Sequence, residues 1–344
     1  MTKQAICPNF SQCYQWIDDA GNERQAGFAR QASPRHHLTG EDEGMIDTIE
    51  IEANGFRFRA NAAGDAAAPL ILFLHGFPQS RNSWDAQLAA AAEAGFRAVA
   101  PDQRGYSPGA RPDGVDAYHV KEIVGDTAAM ATALGAERFH LVGHDWGGQI
   151  AWLTAIAHPD RLKSLSVLSR PHPAAFAKAM KDDKAQSGRS GHHKRFQDPD
   201  MAAKLLENNA KTLRNSLTFE SAEGAFAPGG DGRKRRMSDE KAEAHLDVLR
   251  DPGALEAALN WYRTAFGGAS TLARPDAPKV SVPTLYIWGT EDGTVGRMAA
   301  EGTKDFVDAP FRLVELDGAG HFLAEERPEE VSAAVIEHVK ANND

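Results

Sequence analysis

Short, unbroken apolar runs recur along this chain, each too brief for a helix and most separated from the next by a helical stretch. Leu70 to Leu74 is the clearest, and Ala98 to Ala100, Leu141-Val142, Leu165 to Leu168, Thr284 to Trp288 and Phe311 to Leu316 follow. Strands that are apolar on both faces belong in a parallel sheet covered by helices on both sides. Helical stretches fit between them at Ser83 to Ala94, Val120 to Leu134 and Gly147 to Ala157. The alternation predicts an α/β fold with a doubly wound, mostly parallel sheet. Ahead of it, Ile46 to Ile51 and Phe56 to Arg59 alternate in polarity around Asn54-Gly55. That pattern predicts a hairpin, and so antiparallel strands at one edge.

Two stretches depart from the pattern. Residues 1–45 carry neither a helical nor a strand period and read as an N-terminal extension without a catalytic role. Residues 171–270 lose their strand signals and read as a helical cap inserted into a core made of residues 46–170 and 271–344. Within this insertion, Pro228 to Gly232 reads as a loop, and the basic run Arg233 to Arg236 is expected on a solvated face. The 344 residues suffice for a large core. No apolar run is long enough to span a bilayer, and no signal-peptide pattern opens the chain, so a cytoplasmic address is expected. The formal net charge of -10 argues against nucleic acid or an anionic membrane as the main partner. The two cysteines, Cys7 and Cys13, match no zinc spacing. Even with His36 and His37 nearby, no metal is expected. A homo-oligomer is left open.

The sequence Gly143-His144-Asp145-Trp146-Gly147-Gly148 closes one strand and opens a helix. Small residues around a central residue are the mark of a nucleophile elbow, a tight turn that exposes the central side chain above the sheet. The plainer reading is an Asp that caps the helix. An Asp nucleophile changes the chemistry that a Ser would do. It is ionised at neutral pH, with an ordinary pKa of about 3.9. It can therefore attack an electrophilic carbon directly, leaving a separate base to activate water for the second step. Such a substrate needs a leaving group on an sp³ carbon, and an epoxide oxygen or a halide qualifies.

Other motifs fit around this position. His75-Gly76-Phe77-Pro78 follows the apolar run 70–74, where this kind of fold places an oxyanion donor. The backbone N–H groups of Phe77 and Trp146 are the candidates. His321, in Gly318-Ala-Gly-His-Phe322 after the last strand, is the candidate base. Of the two carboxylates in Trp288-Gly-Thr-Glu291-Asp292, Asp292 has the better spacing to orient His321, with Glu291 the alternative.

Together, His75-Gly-Phe-Pro-Gln-Ser80, Asp102-Gln-Arg-Gly-Tyr106, Gly143 to Gly148 and Gly320-His-Phe322 resemble the α/β-hydrolase epoxide hydrolases of soluble and bacterial type, over residues 45–340. The resemblance implies an α/β-hydrolase fold with a cap, a small-molecule epoxide substrate and no cofactor. It also implies two cap tyrosines that polarise the epoxide oxygen. Leu259-Asn-Trp-Tyr262-Arg263 resembles the segment of the second, which assigns Tyr262 to that role. The first departs from the family. In Arg189-Ser-Gly-His-His-Lys-Arg-Phe-Gln197 the tyrosine place falls on His192, or on His193 one residue later. An imidazole N–H could donate the same hydrogen bond, or both histidines could lie on the surface.

Two rival functions stay open from sequence. Haloalkane dehalogenases share the elbow, and here Trp146 with Trp261 could supply halide donors. A non-catalytic ligand-binding homologue is the other.

Overall fold

The computed structural model describes residues 46–219, 234–267 and 278–344. The N-terminal extension with Cys7, Cys13, His36 and His37, the 228–232 loop, Arg233 and the boundary at 270–271 lie outside the described residues. The first two strands, β1 (Asp47–Ala53) and β2 (Phe56–Ala63), form the expected hairpin, with Ala53 paired to Phe56 across Asn54-Gly55. Both residues of that turn adopt positive φ, which the Asn-Gly pair tolerates. Strand β2 runs further than its alternating pattern suggested, because its second half pairs with β4 (Arg97–Pro101).

Six further strands complete the sheet: β3 (Leu70–Leu74), β4, β5 (Phe139–His144), β6 (Leu162–Leu168), β7 (Thr284–Gly289) and β8 (Phe311–Leu316). The order is β1-β2-β4-β3-β5-β6-β7-β8, antiparallel at the β1 edge and parallel from β4 onward. Every residue of β3, β5 and β7 is buried, as their unbroken apolar runs require. Successive side chains point to opposite faces. Leu70, Leu72 and Leu74 accordingly join one hydrophobic cluster, while Ile71 and Phe73 join another. Full burial of each such side chain is worth about 1.5–3 kcal/mol. The helices α1 (Asp85–Glu93), α2 (Val120–Ala133) and α3 (Trp146–Ala157) connect the strands where the sequence placed them.

Between β6 and β7 lies a helical stretch: α4 (Pro173–Asp182), α5 (Lys184–Arg189), α6 (His192–Arg195), α7 (Met201–Thr218), α8 (Asp239–Arg250) and α9 (Ala254–Gly267). Helix α7 is broken in its middle, where Asn208, Asn209 and Ala210 take left-handed φ values. Strand signals are absent from the sequence here, yet Phe219 and Arg235 form an isolated antiparallel bridge. The basic run also departs from expectation. Lys234 and Arg235 are exposed, but the side chain of Arg236 is 5% exposed and ion-paired. After β7 come α10 (Arg297–Gly302), β8, α11 (Leu323–Glu326) and α12 (Pro328–Ala341). Among the described residues, no helix is long and apolar enough to cross a membrane.

Candidate active site

The parallel strands all end on one side of the sheet, and the candidate residues follow those ends: His75 after β3, Asp145 after β5, Asp292 after β7 and His321 after β8. This is where open α/β sheets bind ligands. The turn at Asp145 is strained. Its φ is 50° and ψ is -116°, a region that costs a residue with a Cβ on the order of 1–3 kcal/mol. Close packing holds it there. A Cβ on Gly147 would lie 2.1 Å from the Leu74 carbonyl oxygen, and one on Gly76 would lie 2.4 Å from the Asp145 Cβ. The Asp145 side chain does not cap α3. Its Oδ1 accepts a hydrogen bond from the Phe77 N–H at 3.0 Å instead, so the helix-cap reading fails. The second expected donor, the Trp146 N–H, opens α3 but makes no hydrogen bond to this carboxylate among the described residues.

His321 bridges the two acids. Its Nε2 lies 3.8 Å from Asp145 Oδ2, and its Nδ1 lies 3.1 Å from each oxygen of Asp292. Asp292 is fully buried, with Oδ1 accepting the N–H groups of Thr294 at 2.7 Å and Val295 at 3.0 Å. Glu291, the alternative acid, points away and is 45% exposed, paired with Arg236 and Lys234. Burial pulls the His321 pKa down. The charge and hydrogen bond of Asp292 and the charge of Asp145 outweigh it, and the net position is about 9. Burial likewise pushes Asp292 up, but His321, Ser169 and the Thr294 N–H hold it below the ordinary carboxylate value.

Three contributors were not legible as functional in the sequence. The Ser169 hydroxyl, after β6, donates to Asp292 Oδ2 at 2.5 Å and lies 2.9 Å from His321 Nδ1. Its φ of 63° turns the chain toward the acid. His144 donates from Nε2 to the His321 carbonyl at 2.8 Å. Burial lowers its pKa to about 4, so it stays neutral beside the pair. Tyr106, in a motif that carried the family resemblance but no assigned role, packs 4.4 Å from the His75 ring, and burial and then the charge of Asp145 push its pKa well up. No sequence signal beyond position after a strand singles out Ser169.

Above the elbow stands an aromatic wall. The Tyr262 ring, on α9, lies 5.0 Å from Trp146, 5.4 Å from Phe77 and 4.8 Å from Phe196. Burial, followed by the charge of Asp145, raises its pKa well above 10, so the hydroxyl keeps its proton and can donate it. Leu255, Ala258, Leu259 and Tyr262, which share one face of α9, are buried together. His192 is 4% exposed, its ring 6.1 Å from that of Tyr262, and half-buried His193 lies 5.4 Å from the same ring. The surface reading of these histidines is therefore wrong. Burial lowers His192 to about 4, leaving a neutral imidazole with one N–H donor.

Of the two expected halide donors, Trp261 is already committed to a backbone oxygen. The indole of Trp261 donates to the Arg104 carbonyl at 3.0 Å, and the Trp146 side chain hydrogen-bonds Tyr262. Among the described residues, no group of three or more His, Cys, Asp or Glu is placed to hold a metal ion.

Comparison with known proteins places this geometry in context. Residues 69–328 match the model of the α/β-hydrolase fold family. Over 311 residues, 83% of this chain and 95% of the other, the chain is 33% identical to epoxide hydrolase A of Mycobacterium tuberculosis. Over 314 residues, 91% of this chain and 84% of the other, it is 34% identical to epoxide hydrolase 4 of Mus musculus. The crystal structure of epoxide hydrolase A from Mycobacterium thermoresistibile superimposes with a TM-score of 0.72 at 29% identity, covering 86% of this chain and 98% of that one.

Proposed function

The chain belongs to the α/β-hydrolase fold and, within it, to the epoxide hydrolases; we propose that it converts an epoxide and water to a vicinal diol through a covalent ester on Asp145. One observation carries the reading. The two oxygens of Asp145 are differentiated, Oδ1 by the Phe77 N–H at 3.0 Å and Oδ2 by His321 Nε2 at 3.8 Å. Oδ2 attacks an epoxide carbon and the carbon–oxygen bond breaks. The departing alkoxide takes the Tyr262 proton, with the His192 N–H as second donor. Oδ1 is then the ester carbonyl oxygen, already facing a backbone donor. Each such donor is worth on the order of 10² to 10³ in rate as the oxyanion forms.

The electrostatics suit a two-step cycle. With Asp145 ionised, His321 is held protonated, its pKa about 9. Esterification removes one of the negative charges that hold it there. His321 can then release its proton to the Tyr262 phenolate and become the base. It takes a proton from water as the oxygen adds to the ester carbon, the diol leaves, and Asp145 and the imidazolium are restored. One water is consumed, and the protons balance over the cycle.

The test is diol formation from terminal, cyclic and aryl epoxides, with halide release from haloalkanes followed in parallel and Asp145→Ala as the control. A single turnover in ¹⁸O water is expected to leave the label in the Asp145 carboxylate, not in the diol. Diol from the Asp145→Ala protein, or label in the first diol, would overturn the ester mechanism.

A further inference from the structure

A carboxylate outside the triad grips the loop that carries His321. Glu326, at the end of α11, accepts the Gly320 N–H on Oε2 at 2.8 Å and the Phe322 N–H on Oε1 at 3.0 Å. These two amides flank the histidine, and the Glu326 side chain is 2% exposed. An ionised carboxylate, which only accepts, suits two N–H donors better than a protonated one, which must also place an O–H. Burial raises the Glu326 pKa on balance above its ordinary value, and the amide hydrogen bonds and the Arg236 charge limit that rise.

The counter-charge comes from the helical stretch between β6 and β7. Arg236 Nη1 lies 3.3 Å from Glu326 Oε2 and donates to the Gly318 carbonyl at 2.7 Å, while Nη2 donates to Glu291 Oε2 at 2.5 Å. One guanidinium thus touches the turn before His321, the carboxylate that clamps His321, and the residue before Asp292. A lysine could not span these acceptors, because its ammonium is a point charge rather than a planar fork.

We propose that Glu326 is a positioning residue for His321 and that Arg236 is its counter-ion, so that the stretch between β6 and β7, besides carrying Tyr262, holds the base that hydrolyses the ester. The inference rests on the Asp145–His321 reading above. It makes a distinction that general destabilisation would not. Attack of Asp145 on the epoxide does not use His321 as a base, whereas hydrolysis does. A loosened loop should therefore spare the first step. A misplacement of about 1 Å can cost on the order of 10² in rate. The charged groups facing His321 are Asp292, Asp145 and Glu326, with neutral His144 beneath it; Glu326 itself faces Arg236 and Asp292. Removing the Glu326 charge should lower the pKa of His321.

The experiment uses the full chain with an epoxide that the wild type turns over, quenched during a single turnover and followed by intact mass. In Glu326→Gln, ester formation is expected within about threefold of wild type and ester hydrolysis slowed on the order of 10- to 100-fold, so the ester persists. The hydrolytic limb of the pH profile should move to lower pH. Arg236→Gln is the second variant, and covers the case in which Glu326→Gln does not fold; it too should accumulate ester, with Arg236→Lys intermediate. Equal slowing of both steps, or an unchanged ratio of the two with an unmoved pH profile, would overturn the inference while leaving the Asp145 reading intact. Failure of the wild type to form any ester would remove the ground of both.

Discussion

Replacing Asp292 by Asn tests the division of labour between the two carboxylates that flank His321. The side chain is isosteric and wholly buried, and its Oδ1 can still accept the Thr294 and Val295 N–H groups at 2.7 and 3.0 Å. Two things change. The first is charge. A rise of the His321 pKa from 6.5 to about 9 corresponds to ~3 kcal/mol in favour of the imidazolium, and Asp292 is the largest favourable contributor. Without it, burial dominates and His321 becomes neutral well below pH 9. The second is the tautomer. With Oδ1 held by the two amides, the Asn NH₂ faces His321 Nδ1 and donates to it, which moves the imidazole proton to Nε2. That nitrogen can then no longer accept a proton from water. The corresponding change in a Ser-His-Asp triad costs on the order of 10⁴ in kcat. The expectation here is asymmetric: ester formation in a single turnover stays within about tenfold of wild type, while hydrolysis falls on the order of 10³ to 10⁴. Quenched-flow with intact mass should show the adduct accumulating stoichiometrically. Steady-state turnover within tenfold of wild type would refute the assignment of Asp292, and equal loss of both steps would show that it merely holds the fold.

Three other outcomes follow from the same structure. Tyr262→Phe removes the proposed proton donor and should slow ester formation on the order of 10² to 10⁴ in pre-steady-state assays; His192→Tyr should retain activity and His192→Phe lose part of it, and equal rates in all three would sink the oxygen-polarising role. Gly147→Ala forces a Cβ to within 2.1 Å of the Leu74 carbonyl and should cost about 3 kcal/mol or more, read as a lower urea midpoint; an unchanged midpoint would contradict the packing described. Stability should fall on both sides of neutrality. His321, raised to about 9, stabilises fully below pH 6.5 and loses that contribution as pH climbs through 9. His75, His144 and His192, lowered to about 4 by burial, contribute fully above pH 6.5 and lose it as pH falls to 4. His321→Gln should flatten the alkaline limb of a melting-temperature profile and leave the acid limb in place.

The parallel sheet was legible because Leu70 to Leu74 and its fellow runs admit little else, and the elbow because glycine is demanded where α3 crosses β3 closely. Asp292 and His321 could be assigned because both follow strands whose ends converge. Ser169, His144 and Glu326 escaped notice for a common reason. Each acts by touching another residue of the site, and such a contact leaves no period in the sequence, whether it is distant, as for Ser169 and Asp292, or local, as for Glu326 and the Gly320 and Phe322 amides. Arg236 was misread because a basic run is usually solvated, and only the fold reveals that one of its members turns inward to three oxygen acceptors. The register in the sequence put the place of the first cap tyrosine at His192, or at His193 one residue later. Burial of His192 beside Tyr262 supplies the reason that an imidazole there is neutral.

His321, the proposed base, enters this site from the sheet's outermost parallel strand. Among the described residues, strand β8 pairs only with β7, and its residues are half-buried or exposed where those of β7 are buried throughout. Edge elements with few buried contacts open first. On the proposed ester mechanism, a molecule in which β8 has peeled away would still hold Asp145 in its elbow and could still be alkylated, but it could not free itself. Under mild denaturant in the presence of substrate, such a protein would inactivate itself irreversibly before its circular dichroism changed. The weakest strand would then determine how long the enzyme survives its own substrate.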